Sequence, residues 1–116
     1  QCLVGLGDVY KRQGHQYGWM GEEYLQACRQ SLDEIQMLTE SFMDEYTIII
    51  TADHGGHDRT HGSLEKEDML IPLICIGPDF CPGSRFEQAG ICDIAPTITR
   101  LSGASPAREW EGKSLI

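Results

Sequence analysis

The sequence predicts an α/β fold with a parallel β-sheet, and three stretches of the chain predict it. From about residue 21 to residue 43, apolar side chains recur at three- and four-residue steps, which is the period of an amphipathic helix. The β-branched run at 46–51 has no polar alternation, as is typical of a strand covered on both faces. A second apolar run at 70–77 predicts another strand. Helices and strands in this order indicate part of an α/β sheet.

Each predicted element has local signals for its position and ends. The helix at 21–43 has an apolar face made of Leu25, Cys28, Leu32, Ile35, Leu38 and Phe42. Pro72 cannot donate to a β-ladder, so we expect it at the start of the second strand or at an edge. Asp93 is the expected N-cap of a last helix, with Pro96 in its first turn and Gly103 at its end. Residues 53–68 show no period and are predicted to form a loop.

Composition and charge limit the function classes. The chain has 116 residues, 18 acidic against 9 basic side chains, and a formal charge of −9. This charge argues against nucleic acid and anionic membranes as partners, because phosphate binding depends largely on Lys and Arg. The hydrophobic share of 41% is ordinary for a folded protein, so we expect one domain at most, with a packed core.

The cysteines and the apolar runs indicate the compartment. The five cysteines are odd in number and form no Cys-x-x-Cys pair, so neither a disulfide framework nor a thiolate zinc site is indicated. No run approaches the roughly 20 apolar residues of a membrane span, and no signal-peptide pattern opens the chain. We therefore expect reduced cysteines in a cytoplasmic protein.

Residues 1–13 are predicted not to belong to the natural protein. Residues 8–13 read as a translation of the transposase end sequence used in sequencing-library adapters, and residues 2–5 look like the adapter just upstream. The hypothesis is that residues 1–13 are an artefact of sequence assembly and that the natural chain enters at about Gly14. The alternative is a natural N-terminal strand with a glycine turn. An intact upstream reading frame containing the same codons would exclude the artefact.

The chemistry is concentrated directly after the first predicted strand. Asp53 and His54 follow it, and His57 and His61 lie in the same loop. Ligands of open α/β sheets bind at the carboxyl ends of strands, and a carboxylate beside an imidazole is a donor set that zinc accepts and manganese tolerates. The alternative is that Asp53 caps a turn and the histidines are solvated. The clustering of these side chains favours a metal site.

An ordered set of segments resembles the C-terminal part of the alkaline phosphatase superfamily, in its phosphodiesterase/nucleotide pyrophosphatase and sulfatase-like branches. The matching segments are Thr51–Gly55, Thr60–Gly62, Ile71–Ile74, Asp93–Thr97 and Trp110–Leu115. The resemblance implies that residues 14–116 are a C-terminal fragment of a hydrolase domain. The implied fold is part of a three-layer α/β/α sandwich with a mostly parallel sheet.

The resemblance also implies a site of two divalent metal ions, zinc or alternatively manganese. Asp53 and His54 match the ligands of the metal that holds the nucleophile, and His61 and His15 match ligands of the other. Where the family places an Asp four residues before its metal-binding His, this chain has Lys11. The family's Ser or Thr nucleophile has no counterpart here, so no catalytic residue is assigned and the chain is expected to be inactive.

Several neighbouring side chains have more than one open interpretation. Arg59 is a candidate contact for an anionic substrate or a solvent-facing charge. His57 is a candidate substrate contact, a ligand of a third metal, or a solvated loop residue. Asp58 is either exposed or orients an imidazole. Glu65, Glu67 and Asp68 are predicted to form a solvated acidic rim. Trp19 either lines a substrate pocket or is buried under the helix.

The resemblance leads to one function and two alternatives. The leading expectation is a metal-dependent hydrolase of small-molecule phosphate mono- or diesters, or of sulfate esters. A phosphomutase of the same superfamily is the alternative, disfavoured because such relatives have a shorter run between the later His and the Pro-Leu strand. A non-catalytic metal-binding or interaction module is the third possibility.

Overall fold

The structure is a computed structural model that describes residues 8–116, with side chains from residue 11 onward. Among these residues the helices are α1 (Asp8–Tyr17), α2 (Glu22–Phe42), α3 (Lys66–Met69) and α4 (Ile94–Leu101), and a 3-10 turn at Ile91–Asp93 precedes α4. The strands are β1 (Ile48–Thr51) and β2 (Leu73–Ile76). Residues 1–7 of the predicted adapter-derived segment, 1–13, lie outside the described residues.

The two strands form an antiparallel pair, in which Ile48 lies opposite Ile76 and Thr51 opposite Leu73. The predicted mostly parallel sheet is therefore not confirmed, although the mixed α/β character is. A parallel return needs a crossover of a dozen or more residues, usually a helix. The connection between β1 and β2 contains only the short helix α3, of four residues, and no crossover helix. Leu73 at the start of β2 pairs with Thr51 at the end of β1, so the chain re-enters the sheet beside the point where it left.

Helix α2 ends within one residue of each predicted boundary, at Glu22 and Phe42. Before it, Gly18 adopts a φ of 99°, a conformation that favours glycine, and its N–H donates to the Gly14 carbonyl at 2.9 Å to end α1. Helix α1 packs against α2. None of the helices within residues 8–116 is long and apolar enough to cross a bilayer.

The expected packed core is not found among the described residues, where no hydrophobic side chain is buried. On the predicted apolar face of α2, Leu32 is 59% exposed and Phe42 is 42% exposed. On β2, Ile74 is 48% exposed. The prediction of a packed core is therefore wrong for this part of the chain. Helix α1 packs against α2 and β1 pairs with β2, but the helices do not pack extensively on the sheet.

The C-terminal segment is tied to the start of α4 by polar contacts. The Asp93 carboxylate accepts hydrogen bonds from the N–H groups of Lys113 and Gly90, both at 2.8 Å, and these hold the pKa of Asp93 below its ordinary 3.8. Thr97 is 1% exposed; its hydroxyl donates to the Asp93 carbonyl at 2.7 Å and accepts from the Leu115 N–H at 3.0 Å. Asp93 thus occupies the predicted cap position, but its side chain binds the C-terminal segment and the 3-10 turn instead of capping α4.

We expect Thr97→Val to lower the free energy of unfolding by about 1–3 kcal/mol, because it leaves the Leu115 N–H without its acceptor. Urea unfolding measures the change. Thr99→Val is the matched control, since the Thr99 hydroxyl bonds only within its helix, to the Ala95 carbonyl at 2.9 Å. Equal losses for the two variants would contradict the role given to Thr97.

Candidate metal site

The loop that follows β1 is held against α3 by its backbone. The N–H of Gly55 donates to the Asp68 carbonyl at 2.8 Å, and the N–H of Gly56 donates to the Glu67 carbonyl at 3.0 Å. A Cβ at position 55 would collide with the Glu67 carbonyl oxygen, so the close approach requires glycine there. The two glycines after His54 therefore fix the direction in which the chain leaves the strand.

Three of the four predicted metal ligands come together at this edge. The rings of His54 and His61 stack with centroids 3.9 Å apart and an interplanar angle of 19°. The ring of His15, from the last turn of α1, lies 5.1 Å from that of His61 at 53°. The chain thus brings imidazoles from sequence positions 46 residues apart into one cluster, which we call the imidazole cluster (His15, His54 and His61).

The side chains of Asp53 and His54 place an oxygen and a nitrogen of metal-binding type next to each other. The Nδ1 of His54 lies 2.6 Å from the Gly55 carbonyl oxygen, and because a carbonyl only accepts, this nitrogen carries the proton. The other nitrogen, Nε2, then presents a lone pair; it is buried and has no hydrogen-bond partner. Oδ2 of the exposed Asp53 carboxylate is 3.7 Å away, a separation that two ligands at about 2.0–2.2 Å from one ion can span.

His15 is oriented in the same way. Its Nδ1 lies 3.1 Å from the Arg59 carbonyl oxygen, so Nδ1 donates there, and in the corresponding neutral tautomer Nε2 is the acceptor. Backbone carbonyls that fix the tautomer of an imidazole are a common feature of metal-binding histidines. The Arg59 guanidinium stays a predicted substrate contact, and the Arg59 backbone orients His15.

Trp19 supports the imidazole cluster from one side. Its indole ring lies edge-on to His15 at 4.9 Å and to His61 at 5.8 Å between ring centroids. A Cβ at Gly14 would lie 2.7 Å from the indole, and one at Gly56 would also collide with it, so these two glycines make room for the ring. Trp19 is thus half-buried between α1 and the loop after β1, and both interpretations given to it from sequence stay predictions.

The environment of His61 favours the neutral ring. Its pKa is lowered from 6.5, first by burial and then by the nearby imidazole of His54, with smaller effects of Lys11 and His15. A neutral imidazole is the form that binds a metal ion. At neutral pH, His61 is therefore favoured in the form that can bind a metal ion.

The cluster as it stands is compatible with metal binding by pairs of residues. No group of three or more His, Cys, Asp or Glu side chains within the described part of the chain is arranged to hold an ion. Ring lone pairs lie in the ring plane, so the nearly parallel rings of His54 and His61 cannot point at one ion between them. Asp53 instead lies beside His54, and the ring of His15 lies beside the tilted ring of His61.

His57 binds Asp68, an acid that the sequence analysis assigned to a solvated rim. Its Nδ1 is 2.8 Å from Oδ1 of Asp68, and Oδ2 of the same carboxylate accepts the Ser63 N–H at 2.7 Å. Asp68 is only 3% exposed, so its predicted place in a solvated acidic rim is wrong, whereas Glu65 and Glu67 are exposed as predicted. Asp68, and not Asp58, is the carboxylate that orients an imidazole.

This pair predicts a pH-dependent stability. The hydrogen bond to His57 lowers the pKa of Asp68 from 3.8 to about 2, and the same bond raises the pKa of His57 above 6.5. The contribution of Asp68 is present above about pH 4 and is lost as the pH falls through 2. The contribution of His57 is present below pH 6.5 and is lost as the pH rises through its raised pKa. The pair stabilises most between these limits.

We therefore expect wild type and Asp68→Asn to differ most in free energy of unfolding between about pH 4 and 6.5, the window set by these pKa shifts. Urea unfolding at a series of pH values measures the difference. Glu67→Gln, an exposed neighbour, serves as the control and should show no such maximum. A difference that is flat from pH 3 to pH 9 would contradict the ion pair.

The described residues form a mixed α/β fold, and comparison with protein families gives the membership of the chain. Residues 13–106 match the metalloenzyme superfamily, so the chain belongs to this superfamily, which is alkaline phosphatase-like. The resemblance noted from the sequence is thereby confirmed at the level of the superfamily.

Curated relatives fall within the same superfamily. The chain is similar to the phosphopentomutase of Edwardsiella ictaluri, with 41% identity over 51% of this chain and 14% of the relative. It is also similar to the 2,3-bisphosphoglycerate-independent phosphoglycerate mutase of Bacteroides thetaiotaomicron, with 31% identity over 62% of this chain and 15% of the relative. The matched region thus spans about one-seventh of these relatives. No solved structure matches the chain.

Proposed function

We propose that this chain contributes metal ligands to an enzyme that transfers a phosphoryl group on a small phosphorylated molecule. The observation that carries the proposal is the buried Nε2 of His54, which has no hydrogen-bond partner and lies 3.7 Å from the Asp53 carboxylate. A buried imidazole nitrogen without a partner is costly unless a ligand satisfies it. A divalent cation is the ligand that suits an adjacent carboxylate.

Each residue of the proposed site has a separate task. Asp53 and His54 would hold one ion, and His61 and His15 a second, with zinc or manganese as the metal. When bound, divalent ions hold phosphoryl oxygens and neutralise their charge. The Gly55 and Arg59 carbonyls keep the Nδ1 protons of His54 and His15 in place, so that both rings present Nε2. Trp19 limits the access of water to the side of the imidazole cluster that it covers.

The relatives favour a mutase over the hydrolase expected from the sequence. Their names describe transfer of phosphate within a pentose or a glycerate, and not its release to water. Such a reaction uses the same metal chemistry and differs in the acceptor of the phosphoryl group. We therefore place phosphomutase chemistry first and hydrolysis of phosphate or sulfate esters second.

A segment exchange distinguishes these two reactions. The matched segment of the Edwardsiella phosphopentomutase is replaced by the corresponding segment of this chain, and the relative's own mutase reaction is assayed together with phosphate release. We expect the chimera to retain mutase activity and to lose it on His54→Ala. A folded chimera that only releases phosphate would favour hydrolysis, and one that loses neither activity on His54→Ala would remove His54 from the site.

A further inference from the structure

Asp68 is the only charged side chain that is buried in the described part of the chain, at 3% exposed. It makes three short contacts with the loop 55–63. Its carboxylate accepts from His57 Nδ1 at 2.8 Å and from the Ser63 N–H at 2.7 Å. Its backbone carbonyl accepts the Gly55 N–H at 2.8 Å.

These contacts lie close in sequence to the two stacked imidazoles. Gly55 follows His54 directly, and Ser63 comes two residues after His61. Between them, the His57 N–H donates to the Thr60 carbonyl at 3.1 Å and the Thr60 N–H donates back at 2.9 Å, which closes a tight turn. With both ends and this turn fixed, the loop has little freedom to change the separation of His54 and His61.

The physical character of Asp68 indicates positioning more than stabilisation. Burying a carboxylate is expensive, and a buried ion pair is often no better for stability than apolar packing of the same volume. What it adds is a set of directional bonds with a defined geometry. Both carboxylate oxygens are used here, one on a side chain and one on the backbone, so a shift of the loop would break one of them.

We propose that Asp68 is a positioning residue that holds the loop 55–63 so that His61 stacks on His54 in the separation seen here. The inference deepens the proposed function. It rests on that function only for the identity of the ion that the imidazoles bind. The stack itself is a property of the chain without metal and can be measured independently of zinc.

The test compares Asp68→Asn and Asp68→Ala with two controls. Glu67→Gln removes an exposed neighbouring charge, and Thr97→Val destabilises the chain at a distant position. In the metal-free chain, the ring-current shifts of the His54 and His61 ring protons report the stack by NMR. In a second measurement, calorimetry with Zn²⁺ alone gives the metal affinity of each variant.

We expect the Asp68 variants to lose the ring-current shifts and, where wild type binds Zn²⁺, to bind it roughly tenfold more weakly, as for other residues that support ligands. Both controls should keep the shifts. Folded Asp68 variants with unchanged shifts would overturn the inference, and Asp68→Asn serves for this purpose if Asp68→Ala does not fold. If wild type binds no Zn²⁺ but the stack still depends on Asp68, the proposed function fails and the positioning role stands.

Discussion

Replacing His54 by alanine is expected to weaken zinc binding by this chain more than about a hundredfold, a larger loss than the 10- to 100-fold typical of residues that only support ligands. His54 supplies the buried, unpartnered Nε2 that carries the proposed site. Isothermal titration calorimetry at pH 7 measures the affinity. Wild-type binding should itself be weak, because pairs of ligands leave the coordination shell open.

The matched control for this variant is His57→Ala. Both residues are half-buried histidines of the same loop, but His57 is bonded to Asp68 and lies outside the imidazole cluster. We expect His57→Ala to retain much more of the zinc affinity than His54→Ala. Equal losses for the two variants would mean that the loop, and not the ligand, determines binding.

Replacing Gly55 by alanine is expected to be the most destabilising single-methyl change in the loop, with a loss of about 3 kcal/mol or more in the free energy of unfolding. The new Cβ would collide with the Glu67 carbonyl oxygen, a backbone atom that cannot rotate away. The strain would also break the bond from the Gly55 N–H to the Asp68 carbonyl. Urea unfolding measures the loss, and zinc affinity should fall with it.

Gly90→Ala is the control for this prediction. Gly90 has an extended backbone with φ of −125°, and the nearest atom to its added Cβ is an Asp93 carboxylate oxygen at 3.8 Å, which is ordinary contact. We expect a change within about 0.5 kcal/mol. If Gly55→Ala proved as mild as Gly90→Ala, the close approach between the loop and α3 would not exist in solution.

The positions of helices and strands could be predicted where a single sequence feature fixes them. The helix at 21–43 follows from its three- and four-residue apolar steps, and the structure places α2 at Glu22–Phe42. The start of β2 after Pro72 follows from the missing N–H of proline. The antiparallel pairing of β1 with β2 could not be predicted. A run of apolar residues without alternation indicates a buried strand but does not indicate the direction of the strand beside it.

The sequence predicted the candidate residues of the site but not the contacts that support them. The grouping of Asp53 with His54 is visible because the residues are adjacent after a strand. The contact of His57 with Asp68 spans 11 residues of irregular chain, and the Arg59 carbonyl that orients His15 acts through backbone at a distance of 44 residues. No sequence period connects such positions, so only the folded chain shows them.

The most direct test of the metal assignment is a zinc titration followed by long-range proton–nitrogen NMR of the histidine rings. On addition of Zn²⁺, Nε2 of His54 and of His15 and one ring nitrogen of His61 should shift, while the Nδ1 protons bonded to the Gly55 and Arg59 carbonyls remain in place. The His57 ring should be little affected. A titration that moves only His57, or that leaves the ring nitrogens of His54 unchanged at saturating zinc, would contradict the proposed site.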